Sequence, residues 1–388
     1  MDSLSCPSDE ELRSRSSIKW SRTVPGVIAA DIAELDFLTA PAVSAALSEA
    51  AARSDFGYPD FSAGLSVRVA ERFAWRMQER FGWSPTPGRI QLCAQIMQGL
   101  SCAVLAYTKP GDWILTHAPT YAPIVHILTQ LGRRPLFCPP CSLRDVSDLH
   151  EAMDDAWDGK PIPMVILCNP HNPTGRVLDE RTLEVFAEFS AAQRGVVFCD
   201  EIYQDLVHWP ARHCSAGSVP ALHERAVIFT SAAKSFSIGG LRCAVGYFGS
   251  RELYETYCQL PWHLRNGASL PGMHATVVAW DSGGEWLAAL RAQLVRNRAI
   301  LGSYLDRETA LQWQVPDATY LAWLSVRRPT GGGDLPGFLL LKAKVALQAG
   351  QSFGPGFAGY ARLNFGTSEK RLHEIIRRLE QALSGPPA

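Results

Sequence analysis

Short runs of branched and aromatic residues, each bounded by turn-forming residues, recur along the first two thirds of the chain. They are Ile90-Gln-Leu92, Trp113-Ile-Leu-Thr116, Met164-Val-Ile-Leu-Cys168, Val196-Val-Phe-Cys199, Ala226-Val-Ile-Phe-Thr230 and Ala244-Val-Gly-Tyr-Phe248. Runs that are apolar at successive positions, rather than at every second one, predict strands buried on both faces. Helical stretches separate several of them, such as Leu183 to Ala192 behind an Asp179-Glu-Arg lead-in. This alternation predicts an α/β chain built on a mostly parallel sheet with helices on both sides. From about Trp280 the pattern changes to long amphipathic helices, predicted over Glu285 to Asp306 and Ser368 to Leu383. Between them lie a strand-like Thr319-Tyr-Leu-Ala-Trp-Leu-Ser325 and a flexible Gly331-Gly-Gly-Asp334 loop. The expected organisation is a large domain over residues 46–280, a smaller α+β domain over 281–388, and an amino-terminal segment, 1–45, packed back on the smaller domain.

Composition narrows the choice of partners. The chain has 388 residues, enough for a large core, with 19% charged and 47% apolar residues and a formal net charge of -1. That balance gives no reason to expect nucleic acid or an anionic membrane as partner and favours a small-molecule substrate. The opening Met1-Asp-Ser-Leu-Ser-Cys-Pro-Ser-Asp-Glu-Glu is acidic and polar where a signal peptide is basic and then apolar, and no apolar run is long enough to span a bilayer. A cytoplasmic location is expected. Of ten cysteines, Cys168, Cys199 and Cys243 sit in apolar runs and read as reduced thiols that pack as small hydrophobes. Cys138-Pro-Pro-Cys141 is the one Cys-x-x-Cys pair; lacking a second pair or paired histidines, it reads as a loop, and no metal is expected.

Three strings carry candidate chemistry: Asn169-Pro-His-Asn172-Pro-Thr-Gly, Asp200-Glu-Ile-Tyr203, and Ser231-Ala-Ala-Lys234-Ser-Phe-Ser-Ile-Gly-Gly-Leu-Arg242. Each alone is unremarkable: a turn-rich loop, the end of a strand, a surface lysine. Asn169, Asp200 and Ser231, however, each follow a strand-like run, which places all three strings at the carboxyl edge where ligands of parallel sheets collect. In that order they suit pyridoxal 5'-phosphate (PLP). An aldehyde cofactor needs an amine, and Lys234 serves if burial lowers its pKa. The ring nitrogen needs a carboxylate partner, Asp200, to stay protonated. Tyr203 and Asn172 are placed for the phenolic oxygen, and Ser231 and the Arg242 fork suit a phosphate dianion.

With those residues in view, the chain resembles fold-type-I PLP enzymes of the aminotransferase class I/II superfamily, and within it the cystathionine β-lyase-type (MalY/PatB-like) C–S lyase branch. The superfamily likeness rests on Asn172, Asp200, Tyr203, Ser231, Lys234, Arg242 and Arg362. The branch likeness rests on Lys19-Trp20, Ala33-Glu-Leu-Asp-Phe37 with Thr39-Ala-Pro41, Phe56-Gly-Tyr58, His171, Asp205-Leu206, Thr319-Tyr-Leu-Ala-Trp323 and Ala361-Arg-Leu-Asn-Phe365. The resemblance implies a seven-stranded, mostly parallel sheet flanked by helices. It further implies that Tyr121 stacks on the cofactor ring, that Gln95 and Ile96 lie in the phosphate-binding turn, and that Arg362 clamps the substrate α-carboxylate. Tyr58 would reach the cofactor phosphate of a neighbouring subunit, making the active unit a homodimer. Two departures stand out. Gln95 replaces the glycine usual in the phosphate turn and is expected to project into the cofactor pocket, although backbone amides at a helix start can still cup phosphate. Arg242 and Tyr203 are choices associated with true aminotransferases.

The expected reaction is carbon–sulfur β-elimination on an S-substituted L-cysteine, giving thiol, pyruvate and ammonia, with Lys234, Tyr121 and Asp200 as the catalytic set. Transamination is the alternative, as is an oxygen-dependent decarboxylating deamination of a cysteine conjugate. Trp20, Tyr58, Tyr320 and Trp323 are candidates for an aromatic wall around the sulfur substituent, with Trp20 and Tyr320 expected beside Arg362 in the substrate site. Glu34 or Asp36 would contact a polar part of the substrate unless an ion pair claims them.

Overall fold

The computed structural model describes residues 4–138, 149, 151–153, 157–308, 310–326 and 334–384. A two-residue strand, β1 (Ile28–Ala29), precedes the main sheet. That sheet is formed by β2 (Ile90–Cys93), β3 (Trp113–His117), β4 (Arg134–Cys138), β5 (Met164–Cys168), β6 (Val196–Asp200), β7 (Ala226–Thr230) and β8 (Ala244–Phe248). Its seven strands run in the order β2-β8-β7-β6-β5-β3-β4. Only β8 is antiparallel to its neighbours, β2 and β7. The continuous apolar runs are explained by two cores. Leu115, Val165, Leu167, Val197 and Ile228 pack into one cluster, while the alternate residues Ile114, Met164, Ile166, Phe198, Val227 and Phe229 pack into another on the opposite face.

Six of the seven strands coincide with the apolar runs. The seventh, β4, pairs only with β3 and places Pro135 opposite Ile114. Proline lacks the N–H that a central strand must donate, so an edge is where such a sequence is tolerated. The helix Ile96–Tyr107 lies against β7 so closely that a Cβ added at Gly99 would meet Phe229 Cε1 at 2.2 Å. The helix Glu180–Ala192 starts where Asp179 accepts a hydrogen bond from the Thr182 amide at 2.9 Å, the cap its lead-in predicts.

The carboxyl-terminal part carries β9 (Leu311–Gln314), β10 (Leu321–Val326), β11 (Val345–Ala346), β12 (Gln348–Ala349) and β13 (Tyr360–Asn364). Four of these form an antiparallel sheet in the order β12-β13-β10-β9. Its long helices span Gly284–Leu305 and Glu369–Leu383, the latter capped by Ser368. Asp334 caps the helix Leu335–Ala343, while Gly331 to Gly333 of the predicted loop, and Cys141 of the Cys-x-x-Cys pair, lie outside the described residues.

The amino-terminal segment is woven into this carboxyl-terminal part. Strand β1 pairs in parallel with β11, the Asn364 amide donates to Ala30 O at 2.8 Å, and the Asp36 amide donates to Gly366 O at 2.9 Å. A buried ion cluster fixes the junction: Asp36 accepts from Lys19 Nζ at 2.9 Å, from Trp20 Nε1 at 2.7 Å and from Arg371 at 3.3 Å. Burial alone would raise the Asp36 carboxyl, but the Lys19 and Arg371 charges hold it below its ordinary value. Residues 31–36 are thereby set beside β13.

Candidate active site

Strands β5, β6 and β7 end side by side, with Cys168 opposite Asp200 and Asp200 opposite Phe229. Asn169, Asp200 and Ser231 therefore emerge at one edge, as the order of motifs predicts. Asp200 is buried, and its Oδ1 accepts from the Ile202 amide at 3.1 Å. Burial pushes its carboxyl pKa up to about 7, opposed by that hydrogen bond and by the charge of Lys234. Lys234 Nζ donates to the Ala33 carbonyl at 2.6 Å. Burial, then the neighbouring Arg362, lowers this amine to about 8, against the pull of Glu34 and Asp200. A lysine in that state supplies an uncharged, nucleophilic amine near neutral pH far more readily than a solvated one.

Arg362, on β13, is buried between the two parts of the chain. It donates from Nη1 to Asn172 Oδ1 at 2.9 Å and from Nη2 to the Asp31 carbonyl at 2.6 Å, and its Cζ sits 5.2 Å from the Phe353 ring centre. The Arg362 Nε is buried without a hydrogen-bond partner. Tyr121 precedes the helix Ala122–Gln130, close enough to Arg362 and Asp200 for both charges to act on its hydroxyl, which burial raises. Tyr203 is buried with its ring 5.8 Å from that of Tyr320, edge to face, and its hydroxyl makes no hydrogen bond of normal geometry. An orphaned buried hydroxyl costs free energy unless something fills the space before it.

On the phosphate side, Ser231 Oγ donates to Cys243 O at 2.6 Å and accepts from the Ala233 amide at 3.1 Å. Arg242 occupies the left-handed region, φ 59°, and its guanidinium donates to Gln95 Oε1. Gln95 is extended and caps the helix Ile96–Tyr107, whose first amides, Ile96 and Met97, have no helical carbonyl behind them. The Gln95 side chain is thereby tied to Arg242.

One expectation about the substrate wall, that for Trp20, turns out differently in the structure. Trp20 belongs to the Asp36 ion cluster, with the guanidinium groups of Arg13 and Arg371 5.0 and 5.1 Å from its ring centre. Asp36 is claimed by the same cluster. Tyr320, by contrast, is at the site: its hydroxyl donates to the Ala33 carbonyl at 3.0 Å, the same oxygen that Lys234 meets. Trp323 stacks on Tyr360 at 5.3 Å and 19°, in a small cluster with Phe353 and Phe357. Tyr58 is fully exposed.

Some contributors carry no sequence signal of their own. The Ala33 carbonyl is one, since a backbone oxygen leaves no trace in residue identity. Glu201 is another: it accepts from Ser215 Oγ at 2.8 Å and from the Ala216 amide at 2.7 Å, and pairs with His213 at 3.1 Å, bracing the strand end that carries Asp200. His171 joins Thr174 Oγ1 at 2.7 Å to Pro119 O at 2.9 Å, tying the Asn172 loop to the loop of Tyr121. Its ring lies 4.1 Å from that of His117, and burial keeps both imidazoles neutral, His117 pulled down to about 3.

The sequence profile of "Aminotransferase class I and II" matches residues 27–379. The chain belongs to the aminotransferase class I and II family. Among curated members similar to it, cystathionine beta-lyase of Corynebacterium glutamicum is 29% identical over 378 residues, covering 97% of this chain and 99% of that protein. Cystathionine beta-lyase PatB of Bacillus subtilis is 30% identical, covering 97% and 98%. A crystallised candidate PLP-dependent β-cystathionase from Corynebacterium diphtheriae superposes with a TM-score of 0.90 at 30% identity, over 98% of this chain and 99% of that one. For a member of this family the residues fit PLP. The orphaned Tyr203 hydroxyl, the buried Asp200 carboxyl, the open helix start at Ile96 and the depressed Lys234 amine are each groups that such a ligand would complete.

Proposed function

We propose that this family member is a PLP-dependent carbon–sulfur β-lyase that cleaves an S-substituted L-cysteine to a thiol, pyruvate and ammonia. The observation that carries the reading is the convergence of Lys234, Asp200 and Arg362 at one strand edge, in a chain similar end to end to cystathionine β-lyases.

When bound, PLP supplies the electron sink that makes a proton on the substrate α-carbon removable. Everything else falls to the chain. Lys234 would hold the cofactor covalently, and its nitrogen in the uncharged form would serve as the general base for the α-proton. Asp200, as a carboxylate, would pair with the cofactor's ring nitrogen and keep it protonated. Tyr203 and Asn172 would bond the phenolic oxygen, and Tyr121 would cover the ring. Ser231, Arg242 and the amides from Ile96 onward would hold the phosphate, with Gln95 positioning Arg242. Arg362 would grip the substrate carboxylate and so set the α-hydrogen toward Lys234. The electron pair of the broken C–H bond would then expel the thiolate from the adjacent carbon, and one water would hydrolyse the released enamine to pyruvate and ammonia.

Tyr58, fully exposed beside the exposed Phe56, supports a homodimer in which it completes the partner's phosphate site. The free thiols of Cys93, Cys168, Cys199 and Cys243 suit a reducing cytoplasm. Among the described residues no helix is long and apolar enough to cross a membrane.

Transamination is the second reading, favoured by the presence of Arg242 and Tyr203 at these positions. Incubation with L-cystathionine and with S-ethyl-L-cysteine separates the two. The lyase releases pyruvate and thiol in equal amounts; release of neither, with a keto acid formed and the cofactor left in its amine form, would mark an aminotransferase.

A further inference from the structure

The Ala33 carbonyl receives two side chains, Lys234 Nζ at 2.6 Å and the Tyr320 hydroxyl at 3.0 Å. The backbone on either side of it is fixed: the Glu34 amide donates to Ile32 O at 2.8 Å, and Asn364 Nδ2 donates to Ile32 O at 2.6 Å and to Glu34 O at 2.7 Å. Tyr320 is fully buried, its ring set edge to face with that of Tyr203, and a Cβ added at Gly366 would come within 3.1 Å of its Cγ. Held on two sides, the ring leaves its hydroxyl little freedom.

The residue that delivers Tyr320 is strained. Thr319 sits at φ 73°, a left-handed backbone that a β-branched side chain rarely adopts. Three hydrogen bonds keep it there: its amide donates to Leu206 O at 2.8 Å, His208 Nε2 donates to its carbonyl at 2.8 Å, and the Leu321 amide donates to its Oγ1 at 3.1 Å. Strain of this kind persists only where the surroundings over-determine the backbone, and it gathers at functional sites. Here it lies where the chain turns from the Val207–Ala318 bridge into β10, one residue before the hydroxyl that shares an oxygen with the reactive lysine.

A carbonyl oxygen offers two lone pairs. With the hydroxyl on one, Lys234 is received at the other, and an uncharged amine that donates an N–H there has its own lone pair turned away from that oxygen. We propose that Tyr320 is a positioning residue for proton removal, its hydroxyl confining the Lys234 amine to one approach on the Ala33 carbonyl so that the nitrogen lone pair meets the substrate α-hydrogen. Tyr320 thereby moves from the substrate wall to the service of the general base. The proposal rests on Lys234 as that base, a step that elimination and transamination share, and not on the fate of the sulfur.

The test compares native holoenzyme with Tyr320→Phe and with a protein carrying 4-aminophenylalanine in place of Tyr320, which restores a donor at the same reach. Exchange of the α-proton of L-alanine with solvent deuterium, followed by NMR, reports proton removal with no leaving group present. At saturating L-alanine the Tyr320→Phe protein should exchange about tenfold to a hundredfold more slowly, with the half-saturating concentration within about threefold of native. The 4-aminophenylalanine protein should recover most of the rate. The isotope effect on pyruvate release from α-deuterated S-ethyl-L-cysteine should rise in Tyr320→Phe, as proton removal comes to limit turnover. An unchanged exchange rate in Tyr320→Phe would overturn the proposal. So would a raised half-saturating concentration at an unchanged maximal rate, which returns Tyr320 to the substrate wall, and so would an equal loss in both replacements, which makes its role structural. A native enzyme that exchanges no α-proton also overturns it. Exchange that follows the prediction, with no pyruvate from S-ethyl-L-cysteine, upholds the positioning role and sinks the β-lyase reading instead.

Discussion

Asp200 and Lys234 are held where burial disfavours the charge each ordinarily carries, Asp200 pushed up to about 7 and Lys234 lowered to about 8. In the cofactor-free protein this has a consequence for stability with a definite sign. The folded Asp200 keeps its proton to higher pH than the unfolded chain does, so its favourable contribution is complete below the ordinary carboxylate pKa and is lost as pH rises toward 7. Asp200→Asn removes the ionisable group. In thermal unfolding of the cofactor-free forms, the variant should be nearly as stable as the parent at pH 5 and more stable at pH 8, by on the order of 2 kcal/mol after the lost attraction to Lys234 is set against it. A gap between the two proteins that is the same at both pH values would contradict the burial of this carboxyl. Gln95 and Asp36 show why residue identity alone under-determined the site. The first finds its partner in Arg242, far along the chain, and the second has the charge to meet a substrate but finds Lys19 and Arg371. Which partner wins depends on distances that no local string encodes.

Among the elements, the helix Ile96–Tyr107 matters most to the site, because its open end is where a phosphate would sit. Its position is set by Gly99 on one side and by Gly246 of β8 on the other, with the Phe229 ring filling the space between them; added Cβ atoms would lie 2.2 and 2.4 Å from ring carbons. Gly99→Val should therefore push the helix off the sheet, costing about 1–3 kcal/mol in denaturant unfolding and weakening cofactor retention in parallel. Loss of stability with cofactor affinity unchanged would show that the helix start is not the phosphate site. Strands were legible wherever burial on both faces made the sequence uniformly apolar, as in β5 to β8. Strand β4, Arg-Pro-Leu-Phe-Cys, gave no such run because an edge strand needs neither two apolar faces nor a full set of donors. The three motif strings were legible because each directly follows one of the strands that were.

Across the whole molecule, the site is a joint product of segments far apart in the chain. Lys234 meets Ala33, Arg362 meets Asp31 and Asn172, and Arg371 closes the junction on Asp36 and Asp9. Motif order revealed Lys234 and Asp200, whose roles follow from side-chain chemistry, and the family resemblance added Arg362. It did not reveal that backbone carbonyls at residues 31 and 33 stand against the two cations, since that depends on β1 pairing with β11 over a separation of more than three hundred residues. The account stands on covalent capture of PLP by one side chain. The direct measurement is borohydride reduction of the purified holoenzyme followed by peptide mass mapping. A pyridoxyl-phosphate mass confined to the peptide containing Lys234, with no such adduct and no visible cofactor band in Lys234→Ala, is the predicted result; an adduct on another lysine, or a visible band that survives in the variant, would contradict it.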